Sequence, residues 1–270
     1  MRRIISPTFI ADLWQNRELL WQFTRRNVEL RHKGSHLGLI WSFLNPLLML
    51  GLYVMVFGYI FNGKFGVTEA ETRLDYGLGI FLGLTLFHFI SETLGSAPSV
   101  ILGNPNFVKK VVFPLEVLPA ANVGSTAFHL LISLTLTLIG TVWLGPGLHL
   151  GLLWLPVILL PLFLMALGIS WLLSAVGTFF RDIAQIIGFI NMVLLWTSGV
   201  FFTAQKYPEA WTWLRFNPLL HAIALARDAV LWEHPINLDY LGYVYACGVG
   251  LCLFGHYVFR KLQAVFADVL

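Results

Sequence analysis

His88 and Glu92 stand four residues apart in an otherwise apolar stretch, one helical turn from each other. An acidic group inside a membrane is a functional candidate by default. Two roles suit this pair. It can relay protons, or it can hydrogen-bond a neighbouring helix or face a wet cavity. The second asks less of the chain, because a proton-coupled carrier needs such groups on several spans. His129 reads as a packed polar residue. Other chemistry is missing. There is no G-x-x-x-x-G-K-[ST] phosphate loop, so the chain is not expected to hydrolyse nucleotide itself. It has no H-E-x-x-H, no G-x-S-x-G and no paired-cysteine metal spacing. Cys247 and Cys252 fall on different faces of one helix and imply neither disulfide nor metal. No catalytic, cofactor-binding or metal-ligating residue is expected.

The elements that hold such a pair are membrane helices. The chain is 57% hydrophobic and 11% charged, against about 25% charged in soluble domains. Residues 117–180 contain no Asp, Glu, Lys or Arg. As one helix, at about 1.5 Å per residue, that run would reach roughly three bilayer cores, where about 20 residues suffice for one. Gly145-Pro146-Gly147 breaks it, so two long helices joined by a tight turn are predicted. Adding the other low-charge windows gives six spans, at about 38–61, 76–101, 118–144, 152–180, 183–202 and 240–259. The fold class is an all-α polytopic membrane protein, with an interface segment 1–33 and a transmembrane domain 34–270.

Charge sets the orientation. With both termini cytoplasmic, the inner segments hold Arg2, Arg3, Arg17, Arg25, Arg26, Arg31, Lys33, Lys109, Lys110, Arg181, Arg260 and Lys261, which is 12 of the 17 basic residues. The outer segments keep Lys64, Arg73, Lys206, Arg215 and Arg227 beside seven acids. No apolar run follows Met1-Arg2-Arg3 until after Lys33, so no cleaved signal is expected. The net charge of +3 is a consequence of topology and gives no reason to expect nucleic acid.

Three segments are not simple spans. In 1–33, apolar residues including Phe9, Leu13, Trp14, Trp21 and Val28 recur at helical spacing with Arg17, Arg25, Arg26 and Arg31 between them. This predicts an amphipathic helix in the inner interface; a plain basic tail is the alternative. Between spans two and three, Asn104-Pro105 is a helix start, with Asn as cap, and Pro114 ends a helix of about two turns. Phe107, Val108 and Val111 form an apolar patch beside Lys109 and Lys110, and such a patch needs lipid headgroups or another protein to press against. The outer segment 203–239 carries Trp211, Trp213, Phe216 and Trp232 around a second cap at Asn217-Pro218. Its two apolar pieces, of roughly 9 and 14 residues, are too short to span. They fit re-entrant helices that line or close an exit, or an anchoring aromatic belt. Gly242, Ala246 and Gly250 in the last span, and Gly79 and Gly83 in the second, are spaced for close helix approach.

Taken in order, these motifs resemble the ABC-2-type transport permeases that export polysaccharides. The resemblance rests on Arg31-His-Lys-Gly-Ser-His-Leu-Gly-Leu-Ile-Trp41, Asn45-Pro46 and Val56-Phe57. It continues through Asn104 to Pro114 with Glu116 and Pro119, then Arg181-Asp182, Asn217-Pro218, Arg227 and Phe266-Ala-Asp-Val-Leu270. It covers essentially the whole chain. It implies six spans, a homodimer in a bacterial inner or plasma membrane, and two copies of a separate ATP-binding subunit that holds the ATP and Mg²⁺. It implies a coupling helix at 104–113 (Asn104, Pro105, Phe107, Val108, Lys109, Lys110, Val111) that docks on the ATPase. It also implies outer gate helices bearing Trp211, Trp213, Phe216, Asn217, Pro218 and Arg227. The substrate implied is a long glycan on polyprenyl pyrophosphate: O-antigen, capsule or teichoic acid. Arg25, Arg26, Arg31 and Lys33, with Trp21, would meet its headgroup at the inner interface, since phosphate favours clustered Arg and Lys. A drug or lipid exporter of the same fold is the nearest rival. A lipid-linked sugar transferase would need clustered acids or His at one membrane surface, which the inner loops lack.

Overall fold

In a computed structural model the described residues, 9–31, 33–67, 71–109, 113–145, 147, 149–180, 182–203 and 212–269, form helices and connecting turns without a strand. Helices α1 (Phe9–Gln15) and α2 (Arg17–Arg31) lead into α3 (Gly38–Ile60), which passes from 3₁₀ through α to π geometry. Then come α4 (Arg73–Ser96), the short α5 (Ser99–Leu102) and α6 (Pro105–Lys109), α7 (Val117–Leu144) and α8 (Leu150–Phe179). The chain ends with α9 (Ile183–Thr197), α10 (Pro218–Arg227, continued by a π-helical turn Asp228–Trp232) and α11 (Leu238–Val269).

Among the described residues five helices, α3, α4, α7, α8 and α11, are long and apolar enough to cross a membrane. Where the sequence predicts a span over 183–202, α9 stops at Thr197. Gly199 takes φ +69°, a left-handed conformation that ends helices and costs glycine little. The carbonyls of Gly199 and Val200 turn away to a side chain of α10 instead of continuing the helix.

Helix α4 is the axis of the bundle. Its start is a capping box, in which the Thr72 hydroxyl accepts from Asp75 N and the Asp75 carboxylate accepts from Thr72 N. Of its apolar window 78% is buried, against 11% for α3. The most extensive contact lies between α8 and α11. A Cβ on Gly255 would stand 2.1 Å from the Gly168 carbonyl oxygen, and one on Gly168 would stand 2.3 Å from that of Leu251. Gly248 meets the Pro161 carbonyl in the same way, at 2.5 Å. These glycines let two backbones touch, the small-residue packing expected between membrane helices. The stripe named from sequence behaves differently, for Gly242 and Gly250 have nothing within 4 Å of a Cβ position. The last helix has small residues on two faces, and α8 takes the one at Gly248 and Gly255.

The turn at Gly145-Pro146-Gly147 joins α7 to α8 as expected, with Gly147 at φ +94°; Pro146 lies outside the described residues.

Candidate functional site

The basic segments meet at one end of the bundle. There α2 crosses α7 and fastens α6. Arg26 Nη2 donates to Asn104 Oδ1 at 3.1 Å, and Asn104 Nδ2 donates to the Val100 carbonyl at 2.8 Å. The side chain expected to cap α6 is therefore spent on α2 and α5, and the Asn104 carbonyl accepts from Phe107 N instead. Phe23 of α2, Phe107 and Phe113 form a triangle of rings with centroids 4.9–5.2 Å apart, in which Phe23 meets the other two edge-on and those two are tilted against each other. Arg26 also lies 4.4 Å over the Phe23 ring. Much of the apolar patch on α6 is thus covered within the chain: Phe107 and Val108 are half-buried, while Lys109 is exposed. Lys110 and Val111 lie outside the described residues. Of the other interface residues, Trp21 and Lys33 are exposed, and Arg25 pairs with Glu29 on the open face of α2 at 2.7 Å.

Arg31, at the end of α2, reaches Glu92 of α4 as an ion pair and donates to His129 Nδ1 of α7 at 2.9 Å. Since that nitrogen accepts from Arg31, the 3.3 Å approach of His129 to Glu92 is mediated by the guanidinium between them. Burial lowers the Arg31 pKa from its ordinary value, and the adjacent carboxylate offsets that cost by favouring the charged form. His88 makes no bond to Glu92. Both line a cavity of about 420 Å³ between α3, α4 and α7, with Ser42, Asn45, Thr126 and Ser133.

A second knot sits beside the first and was not apparent from spacing. Glu116, just before α7, is buried and accepts from Arg260 and from His256 Nε2 (3.3 Å), both on α11. Arg260 Nη2 also donates to Asp12 of α1 at 2.5 Å. Phe9 and Trp171 pack around His256 with centroids 4.9–5.6 Å apart. Burial alone would raise the Glu116 pKa, but hydrogen bonds and charge from His256 and Arg260 outweigh it and hold the carboxyl below its ordinary value. In sequence Glu116 showed only as the last charge before a long uncharged run and as one residue of the family resemblance.

The opposite end is organised by Arg227. Along α4 the carbonyl it grips, Gly79 O, lies about 20 Å from Glu92 at helical rise. Arg227 is 2% exposed. Its Nε donates to Gly79 O (2.9 Å), Nη1 to Gly199 O (2.8 Å) and Nη2 to Val200 O (2.5 Å). Phe65 covers its guanidinium at 4.3 Å. Gly83 leaves room for it, since a Cβ there would meet Nη2 at 2.8 Å. The planar fork satisfies the Gly199 and Val200 carbonyls beyond the end of α9 and adds a third bond to Gly79 O within α4, a geometry lysine cannot match. Asn217 does cap α10, its Oδ1 accepting from Leu219 N at 3.0 Å, and its Nδ2 reaches Thr197 of α9 at 3.2 Å. Pro218 is half-buried at the first turn; Trp213 and Phe216 are exposed. Trp211 lies outside the described residues.

Neither end gathers metal ligands: among the described residues no group of three His, Cys, Asp or Glu comes together. The arrangement suits mechanical linkage between helices.

Comparison with known proteins agrees. The chain is 26% identical over 255 residues to the O-antigen export system permease protein RfbA of Klebsiella pneumoniae, covering 94% of this chain and 95% of that protein. It is 27% identical over 270 residues to the RfbA of Myxococcus xanthus, covering 96% and 98%. To the polysialic acid transport protein KpsM of Escherichia coli it is 26% identical over 230 residues, covering 80% and 83%. The profile of the ABC-2 type transporter family matches residues 18–231, which include Arg31, Glu92 and His129 of the first knot, Glu116 of the second and the Arg227 clasp, and the chain belongs to that family.

Proposed function

We propose that this chain is the transmembrane permease subunit of an ATP-driven exporter. It moves polyprenyl-pyrophosphate-linked polysaccharide, of O-antigen, capsule or teichoic-acid type, from the cytoplasmic to the outer side of the bacterial inner or plasma membrane. The observation that carries this reading is the joint at the basic end. A short helix, α6, is fastened through Asn104 and Phe107 to α2, and α2 is fastened through Arg31 to α4 and α7. A push on α6 therefore reaches the core of the bundle. Similarity along nearly the whole chain to permeases of O-antigen and polysialic acid transport supports the same reading.

The push comes from two copies of a separate subunit that bind ATP and Mg²⁺, since the sequence holds no phosphate loop of its own. Six crossings fit the geometry. Asp12 of α1 bonds to Arg260 of α11, which supports placing both ends of the bundle on one face, as an even number of crossings requires. Five long helices and α9, continued by the unwound 198–203, make six. That face is cytoplasmic by its excess of Lys and Arg. The permease works as a homodimer, in which α3 and α9, sparsely covered within one chain, meet the second copy. Arg25, Arg26, Arg31 and Lys33 give a pyrophosphate headgroup its counter-charge, and α10 closes the outer side between cycles.

Deleting the gene tests this. The glycan is expected to vanish from the cell surface and its lipid-linked form to accumulate inside, with both restored by the wild-type chain. The tagged chain should co-purify with an ATPase subunit. Unchanged surface glycan in the deletion strain would overturn the proposal.

A further inference from the structure

A cavity of about 560 Å³ lies at the Arg227 end between the unwound end of α9, helix α10 and the start of α11. That volume is within the roughly 300–1,000 Å³ of small-molecule sites. Its walls carry the rings of Phe202, Trp232 and Tyr240 and the planar polar groups of Asp228, His234 and Asn237. We propose that this cavity is a saccharide-binding site that takes one or two sugar rings of the glycan after they have crossed the membrane. The proposal rests on the function and orientation put forward above.

The lining excludes other classes of ligand. Three of the five N–H donors of Arg227 are engaged by backbone carbonyls, and the Asp228 carboxylate beside it repels an anion. Asp228, His234 and Asn237 make the cavity too polar for a hydrocarbon chain. A metal lacks a third ligating side chain among the described residues. A neutral polyol suits what remains. Sugar C–H faces stack on rings such as Trp232 and Tyr240, whose faces are electron-rich, while hydroxyls pair with carboxylate and amide groups. Asp228 keeps one oxygen 3.3 Å from His234 Nδ1, which orients the carboxylate. Asn237 uses its Oδ1 to cap α11, accepting from Asp239 N and Tyr240 N; among the described residues no hydrogen bond takes its Nδ2. The turn that folds His234 back over Asp228 runs through Glu233 at φ +53°, a conformation that costs a non-glycine residue free energy and persists where the surroundings impose it.

The test uses the permease purified with its ATPase subunit in lipid nanodiscs. The probe is the lipid-free glycan released by mild acid from the host's own surface polysaccharide, titrated calorimetrically. Wild type is expected to bind. W232A and D228N should each weaken binding roughly tenfold, W232F should restore most of it, and E92Q at the other end should leave it unchanged. Retention of the ATPase subunit on purification reports that each variant is folded. No binding by wild type, or equal binding by folded W232A and D228N, would overturn the site while leaving the export function standing. A deletion strain that still displays the glycan would overturn both.

Discussion

Arg26 and Asn104, 78 residues apart in sequence, share a hydrogen bond of 3.1 Å that ties the interface helix to the short helix after α5. Asn104 has no other side chain to hold, because its amide nitrogen is committed to the Val100 carbonyl. The bond is therefore the polar half of a joint whose apolar half is the Phe23, Phe107 and Phe113 triangle.

Replacing Asn104 by Ala should loosen that joint without unfolding the bundle. One hydrogen bond to a charged donor is worth about 1.5–3 kcal/mol. Export should fall by roughly one order of magnitude, since about 1.4 kcal/mol is a factor of ten, while the partner's ATP hydrolysis continues. Initial rates of surface glycan appearance, measured beside ATPase rates of the purified complex, check this. Parallel loss of both would indicate a binding defect.

Glu116 predicts an acid limit on stability. Its carboxyl is held below its ordinary value in the folded state by His256 and Arg260, so folding binds fewer protons there than unfolding. That stabilisation is complete above the unfolded value near 4.5 and is lost as pH falls through the lower folded value. Melting temperature in detergent should drop as pH falls below about 4.5. E116Q should melt lower at neutral pH and show a flatter acid limb. An unchanged acid limb in E116Q would place the titration elsewhere.

Arg227 cannot be replaced by either a shorter or a differently shaped cation. R227A leaves the Gly199 and Val200 carbonyls without their donor in a buried site, at a cost of about 1–3 kcal/mol for each unsatisfied group. R227K restores charge but not the planar fork. Both variants should lower the melting temperature, R227A more, and both should lower the yield of folded permease on size-exclusion chromatography.

The crossing of α8 and α11 tolerates no side chain. G255A places a methyl 2.1 Å from a backbone oxygen, so the two helices must separate and folded protein should be lost. G242A and G250A meet nothing within 4 Å and should leave stability unchanged in the detergent-purified chain. Thermal unfolding of all three separates them.

These contrasts show what the residues alone could reveal. The helical class was plain because a charge-free run longer than two bilayers has no other stable form. The cap at Asn217 was legible because it depends on the next two residues. The short α9 was not, since its end is set by Arg227, which lies far along the chain and collects the carbonyls of Gly199 and Val200. The spacing of Gly242, Ala246 and Gly250 looked like a packing stripe, yet the face used is that of Gly248 and Gly255. Spacing gives a helix its faces but does not say which neighbour each one meets. Glu92 stood out as an intramembrane acid one turn from His88, whereas Arg31 was read as an orienting and headgroup-facing basic residue and not as the partner of Glu92.

The backbone contact between Gly168 and Gly255 assigns mechanical roles to the bundle. Where two helices pack main chain to main chain, no flexible side chain lies between them to absorb a change of tilt, so in the exporter proposed above α8 and α11 are the stator. The rotor must then be sought among α3 and α9, the lightly packed pair, and the stroke of the pump is a displacement measured against that fixed post.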